Sequence, residues 1–221
     1  MALMKGSQIP KDAVVLDEVE AIGYVWDVVS NWESWSDIWA LRYGPMVLGA
    51  INSISGVIIN NHYRWKLKLG NYGYFSSTLP LTVMPGILTL IFHKHLISTD
   101  LLLMKNDACP VCYEVKSSAI QISMGLLYPM VLAPTSALML ANRYSTYRIP
   151  HLFEGPKVMF SFLKKHTKPF TGTLGYLALI QLAASTFITY CEMKNTVTLK
   201  HKMAEIEKKL EQDLLDNKIS L

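Results

Sequence analysis

Apolar positions gather into four long uncharged windows, separated by short polar connections. The windows run from about Tyr43 to Ile59, Tyr74 to Phe92, Ser118 to Ala141 and Phe170 to Tyr190. At 1.5 Å per helical residue the last of these, with 21 residues, is long enough for a hydrocarbon core of about 30 Å. A water-soluble domain scatters charge along every helix. Here charged residues make up only 17% of the chain, against about 25% in ordinary soluble domains, and the deficit is concentrated in the windows. The expected fold is therefore an all-α membrane protein, a four-span helical bundle with amphipathic N-terminal and C-terminal helices. Three parts are expected: residues 1–42 as a tail and Trp-rich amphipathic helix, 43–192 as the membrane bundle, and 193–221 as a charged helix.

The flanks follow helical spacing. After a polar tail ending at Pro10, a stripe of Val15, Val19, Ile22, Val25, Trp26, Val29, Trp32 and Trp39 steps by three and four. Four of the five tryptophans, Trp26, Trp32, Trp35 and Trp39, precede the first span, where indole rings commonly anchor at the membrane interface. Such a helix lies on the membrane, docks on a partner, or packs on its own bundle. At the other end Leu199, Met203, Ile206, Leu210 and Leu214 form one apolar seam, with Glu205 and Lys209 an i,i+4 pair.

Inside the windows, small residues suggest where helices meet. Gly49 and Ser53, like Asn52 and Gly56, stand four apart and admit a second helix at close range. Gly49, Ser53 and Gly56 are thus candidate packing or partner-binding positions. Windows two and three carry Pro80, Pro85 and Gly86, and Pro129 and Pro134, so kinks are expected. No ionisable residue falls in the interior of any window, which argues against an ion or proton path. Asn52, Thr82, Gln121 and Gln181 read instead as inter-helix glue.

Charge adds orientation. Residues 1–42 hold three basic and seven acidic side chains, a net of −4. The connection after span one carries Arg64, Lys66 and Lys68 with no acid, and the one after span three has a net of +5. The two basic connections share one side, expected to face cytoplasm or matrix; the N-terminus, the cysteine loop and the C-terminus share the other. Nucleic-acid binding is excluded because the cations flank apolar spans rather than line an exposed face. The N-terminal segment resembles neither a cleaved secretory signal nor an Arg-rich presequence, so mitochondrial import would rest on internal signals.

Candidate chemistry is sparse. Of the three cysteines, Cys109 and Cys112 enclose Pro-Val and are a candidate disulfide or thiol-exchange pair; free thiols are the plain alternative. A zinc site would have to recruit His93 and His95 at unusual spacing, and no metal is expected. With no Ser-His-Asp set, glycine-rich phosphate loop or paired carboxylates, neither an enzyme nor a cofactor is expected. A small transporter or a thiol-exchange protein using Cys109 and Cys112 are the alternatives to a scaffold.

One ordered set of short motifs is specific. Cys-x-x-Cys is followed by Gly125-Leu126-Leu127-Tyr128-Pro129, by Ala141-Asn142-Arg143-Tyr144, by Ile149-Pro150-His151, and by Lys168-Pro169 before the last window. This order resembles the transmembrane protein 126 family of mitochondrial inner-membrane proteins. The resemblance implies an assembly factor for the membrane arm of respiratory complex I, with membrane-arm subunits, other assembly factors and the bilayer as partners. It adds Pro129, Arg143 and Tyr144 to the candidate packing and partner surface.

Overall fold

The structure, a computed structural model, describes residues 17–103, 109–147 and 156–219. The tail ending at Pro10, Val15 of the N-terminal stripe, and Arg148 and Glu154 of the basic connection lie outside the described residues. Every regular element described is helical: α1 Glu18–Asn31, α2 Trp35–Lys66, α3 Tyr74–His93, α4 Thr99–Leu103, α5 Pro110–Ile122, α6 Tyr128–Arg143, α7 Pro156–Thr167 and α8 Thr171–Ile219. A π-turn at Lys94–Ser98 joins α3 to α4, and another at Ser123–Leu127 joins α5 to α6. Three continuous helices are long and apolar enough to cross a membrane: Tyr74–Leu103, Pro110–Arg143 and Ser161–Asp213.

Helix α2 falls outside that set, yet the bundle is built around it. It packs on α3, α6 and α8 and buries residues along its length from Ile38 to Arg64. Asn52, Ser55 and Asn60 dilute its apolar character, and all three are buried inside the bundle. The rest of α2 leaves Met46, Val47, Ile54 and Ile58 exposed, so these polar residues sit on the side that answers to neighbouring helices.

The N-terminal stripe divides into two helices. A capping box of Asp17 and Glu20 starts α1, which ends where Trp32 turns extended. Ser34 then opens α2, with the Asp37 amide N–H on the Ser34 carbonyl and the Asp37 carboxylate in the first turn. The break lets α1 fold back. Its Val25 and Val29 pack with Ile38, Leu41, Leu102 and Leu199, so α1 docks on its own bundle. Two of the part boundaries expected from sequence therefore run through continuous helix: α2 crosses residue 42 and α8 crosses residue 192.

The small residues of α2 sit at its contact with α3. Gly49 faces the Gly86 backbone, where an added Cβ would lie 2.7 Å from the Gly86 carbonyl oxygen. Gly56 faces the Leu81 carbonyl, and the Ser53 hydroxyl sits against Gly86 while donating to the Gly49 carbonyl. These positions hold α2 to α3 and present nothing to a partner. Pro129 is buried as well. Arg143 stays exposed, and Tyr144 stacks on Tyr72 at 4.9 Å.

At that end of the bundle the α2–α3 turn is organised by Arg64. Buried at 4% exposure, its guanidinium donates to the Gly70, Tyr72 and Gly73 carbonyls and to the Ser77 hydroxyl. One of the cations counted as a loop charge is thus an internal strut. Nearby, the Thr146 hydroxyl donates to the Leu67 carbonyl, and His62 stacks on Phe170 at 4.0 Å. The opposite end gathers α1, α4 and the second half of α8.

Gly56→Ala is expected to lower the thermal midpoint in mild detergent, at a cost of about 2 kcal/mol, because the Leu81 backbone must move. Gly172→Ala, with nothing within 4 Å of the added Cβ, is the control and should be neutral or slightly stabilising. Equal midpoints for the two variants would contradict the α2–α3 packing.

Candidate functional site

Helix α8 presents one uninterrupted buried face to the bundle. Leu177, Gln181, Ser185, Ile188, Glu192, Asn195 and Leu199 lie on it, spaced three and four apart, and each is at most 6% exposed. Glu192 belongs to this face even though it is the first charge after the last apolar window. His93, which the sequence offered only as a zinc ligand at unusual spacing, is the last residue of α3. His93 and Glu192 are buried at 1% and 0% exposure, with His93 Nε2 3.1 and 3.2 Å from the two carboxylate oxygens.

The π-turn after His93 explains how a third group joins. In a regular helix, residues five apart point about 140° away from each other. Widening the turn over Lys94–Ser98 brings Ser98 round to the same side, and its hydroxyl donates to Glu192 Oε1 at 3.2 Å. Gly44 of α2 closes the node from above; a Cβ there would come 2.9 Å from Glu192 Oε1. On the other side of the ring, His93 Nδ1 lies 3.4 Å from Ser117 Oγ, which shares a 2.7 Å hydrogen bond with Ser185. Glu192, His93 and Ser117 thus follow the acid–imidazole–hydroxyl order of a hydrolase. Ser117, however, is 1% exposed and spends its hydroxyl on a neighbouring serine. Through these bonds the arrangement ties α3, α5 and α8 together.

A second layer lies deeper in the bundle. Gln121 donates to Gln181 Oε1 at 2.6 Å and to the Leu48 carbonyl, while Gln181 donates to Ser55 at 2.7 Å. Asn52 donates to Thr89 at 2.6 Å, and Thr89 in turn donates to the Pro85 carbonyl. Asn52, Gln121 and Gln181 act as the inter-helix glue expected of them, whereas Thr82 bonds only within its own helix. The second π-turn belongs to this layer. Pro129, with no N–H, disturbs the ladder just upstream, and the widened turn sets Gly125 against Asn52 Oδ1 and Gln181 Nε2. Asn52 Oδ1 and Gln121 Oε1 are left without a hydrogen-bond partner.

The remaining candidates lie at the end that gathers α1. Trp26 donates its indole N–H to Thr99 and lies under the Lys94 ammonium at 4.2 Å, and Trp32 points its N–H at Asp37. Trp39 is half-buried beside a cleft of about 360 Å³ that Ser36, Asp37, Cys191, Lys194, Asn195 and Thr198 also line. Of the four expected interface anchors only Trp35 is largely exposed, at 63%. Lys202 bonds to the Asp37 carboxylate and holds it below the usual carboxylate range, with Ser34 and Trp32 adding hydrogen bonds. Cys109 and Cys112 are free and exposed on the first turn of α5. A bridge between them would staple one helical turn and would tie no second element to it. Among the described residues no three His, Cys, Asp or Glu side chains converge as a metal site.

Two outcomes are expected. Glu192→Ala strands His93 in the core and should cost about 3 kcal/mol, read as a lower thermal midpoint. Glu192→Gln keeps acceptors for His93 and Ser98 and should cost clearly less; no loss in either variant would remove the node from the stability of the bundle. Because the Asp37 pKa is depressed in the folded state, its ion pair contributes fully above the ordinary carboxylate range and is lost as pH falls through and below it. Amide protection along residues 196–213, taken relative to the intrinsic exchange rate at each pH, should therefore fall on acidification, and Lys202→Met should flatten that dependence. A wild-type profile indifferent to pH would show that the ion pair does not hold the tail.

Comparison with known proteins finds a family and several relatives. The family model described as Transmembrane protein 126 matches residues 30–208. A Drosophila melanogaster protein named Transmembrane protein 126 is 39% identical over 215 residues, covering 97% of this chain and 96% of its own. A rat protein named Complex I assembly factor TMEM126B, mitochondrial, is 32% identical over 107 residues, covering 48% of this chain and 45% of its own. A mouse protein named Transmembrane protein 126A is 29% identical over 116 residues, covering 52% and 58%. No solved structure is significantly similar.

Proposed function

The chain belongs to the transmembrane protein 126 family, and on that premise we propose that it is a non-catalytic assembly factor for the membrane arm of mitochondrial respiratory complex I. In this reading it is a four-span bundle of the inner membrane that shields apolar faces of newly inserted subunits until their neighbours arrive. The observation that carries the reading is kinship with a relative named as a mitochondrial complex I assembly factor. A non-catalytic role is supported by the interior, where His93, Glu192, Ser117, Gln121, Gln181 and Asn52 each bond to a neighbouring helix. The fourth span is α2, whose amides are shielded by α3 and α8. The basic end faces the matrix, and α1, Cys109, Cys112 and the C-terminal helix face the intermembrane space.

Partner binding then falls to the outer surfaces and to the second half of α8. Past Met203 that helix leaves the bundle, with Ile206 and Leu210 about half exposed on the apolar seam. Tagged protein drawn from mildly solubilised mitochondria should recover membrane-arm subunits together with other assembly factors. A chain truncated after Met203 should recover several-fold less of them while keeping its thermal midpoint. Recovery of neither class, with complex I levels unchanged when the protein is removed, would sink the proposal.

A further inference from the structure

The exposed cysteine pair is absorbed neither by the polar core nor by the scaffold role. Cys109 is the N-cap of α5, with φ −44 and ψ 131, Pro110 is the first helical residue, and Cys112 is the third. The Cys112 amide N–H donates to the Cys109 carbonyl at 2.8 Å and closes the turn. Both thiols therefore belong to a single turn and are exposed, whereas Cys191 is half-buried in the wall of the cleft.

The turn also has a rigid base. Tyr113, the next residue, is 4% exposed and packs on Ile97 and Leu101, which fixes the start of α5 against the π-turn and α4. Val111 and Val115 stand exposed on the same stretch of helix at 58% and 62%, giving an apolar shoulder beside the sulfurs. A thiol kept for packing is buried, and a disulfide kept for stability ties separate elements together. Neither description fits this pair. Two accessible thiols on one anchored turn are arranged to open and close without disturbing the bundle.

We propose that Cys109 and Cys112 form a thiol–disulfide exchange site whose substrate is an accessible disulfide. The Cys109 thiolate attacks one sulfur of the substrate disulfide; that S–S bond breaks, a mixed disulfide forms, and the other substrate sulfur leaves as a thiolate and takes up a proton. The Cys112 thiolate then attacks the Cys109 sulfur, closing the Cys109–Cys112 disulfide and releasing the second substrate thiolate. Two electrons pass from the cysteine pair to the substrate disulfide, and the reverse sequence oxidises a substrate dithiol. Closing within one turn needs no movement of α4, α8 or the polar core.

The test uses the purified full chain in mild detergent with oxidised glutathione as the probe, followed by acid quench, alkylation and peptide mass spectrometry. Wild type should yield a Cys109–Cys112 disulfide that dithiothreitol reverses, while Cys191 reacts about tenfold more slowly. Cys112→Ser should trap glutathione on Cys109, and Cys109→Ser should trap it on Cys112 about tenfold more slowly, an asymmetry that a passive pair lacks. In intact membranes from expressing cells, Cys112→Ser should carry a dithiothreitol-sensitive adduct, whose mass tells a protein substrate from glutathione. The proposal is overturned if the pair stays reduced, if both single variants react at the rate of Cys191, or if the membranes yield no adduct.

Discussion

The fold rests on a column of polar side chains that bond across helices where water does not reach, with Asn52 Oδ1 and Gln121 Oε1 left over. From the Gln121–Gln181–Ser55 layer to the Glu192–His93–Ser98 node, α8 lays a polar residue against each of its neighbours in turn. In an apolar medium an unpartnered amide or carboxylate has nowhere else to go, so these groups fix rotation and register more strictly than apolar packing alone. A quarter-turn of α8 would expose Glu192 and break the contacts to three helices together. The two π-turns follow from the same demand. Each inserts one residue into an otherwise regular helix, and each delivers a group to that column, Ser98 in one case and Gly125 in the other.

The central position of α2 follows from how its neighbours are bound. It meets α3 through glycines and serine, at backbone-to-backbone distance, and meets α8 through Ser55 and the close approach of Gly44 to Glu192. Close approach excludes bulky apolar side chains, so the helix that packs most tightly is the one with the weakest hydropathic signal. The surface charge is economised in a related way. Arg64 is spent on three carbonyls of a turn containing Lys68, Gly70 and Gly73 at positive φ, which leaves that turn rigid where the chain reverses.

Much of this architecture was legible along the chain. Three of the four windows lie in helices long and apolar enough to cross a membrane, and the first lies in α2. The amides in them were identified as glue because polar groups between apolar runs have few other uses. The stripe around Val25 and Val29 was read as a helical face, although its break was not, since the Ser34 and Asp37 signal is short and overlaps the tryptophan cluster. Glu192 was missed because hydropathy windows end at the first charge. Counting in threes and fours from Leu177 and Gln181 would have carried the buried face straight through it. Gly49 and Gly56 were recognised as close-approach positions, but spacing tells that a helix comes near and not which one. The pairing of His93 with Glu192 spans 99 residues and depends on an irregular turn, so no local pattern encodes it.

Helix α8 has a geometric corollary. Its 49 residues extend about 73 Å, well beyond the roughly 40–45 Å of a bilayer with its headgroups. Roughly 30 Å of stiff rod must therefore stand clear of the membrane, continuous with the segment that carries Glu192. A rod of that kind is both a spacer and a lever. It sets the height at which a soluble body can engage the protein, and a sideways force on its tip reaches the buried carboxylate through unbroken helix.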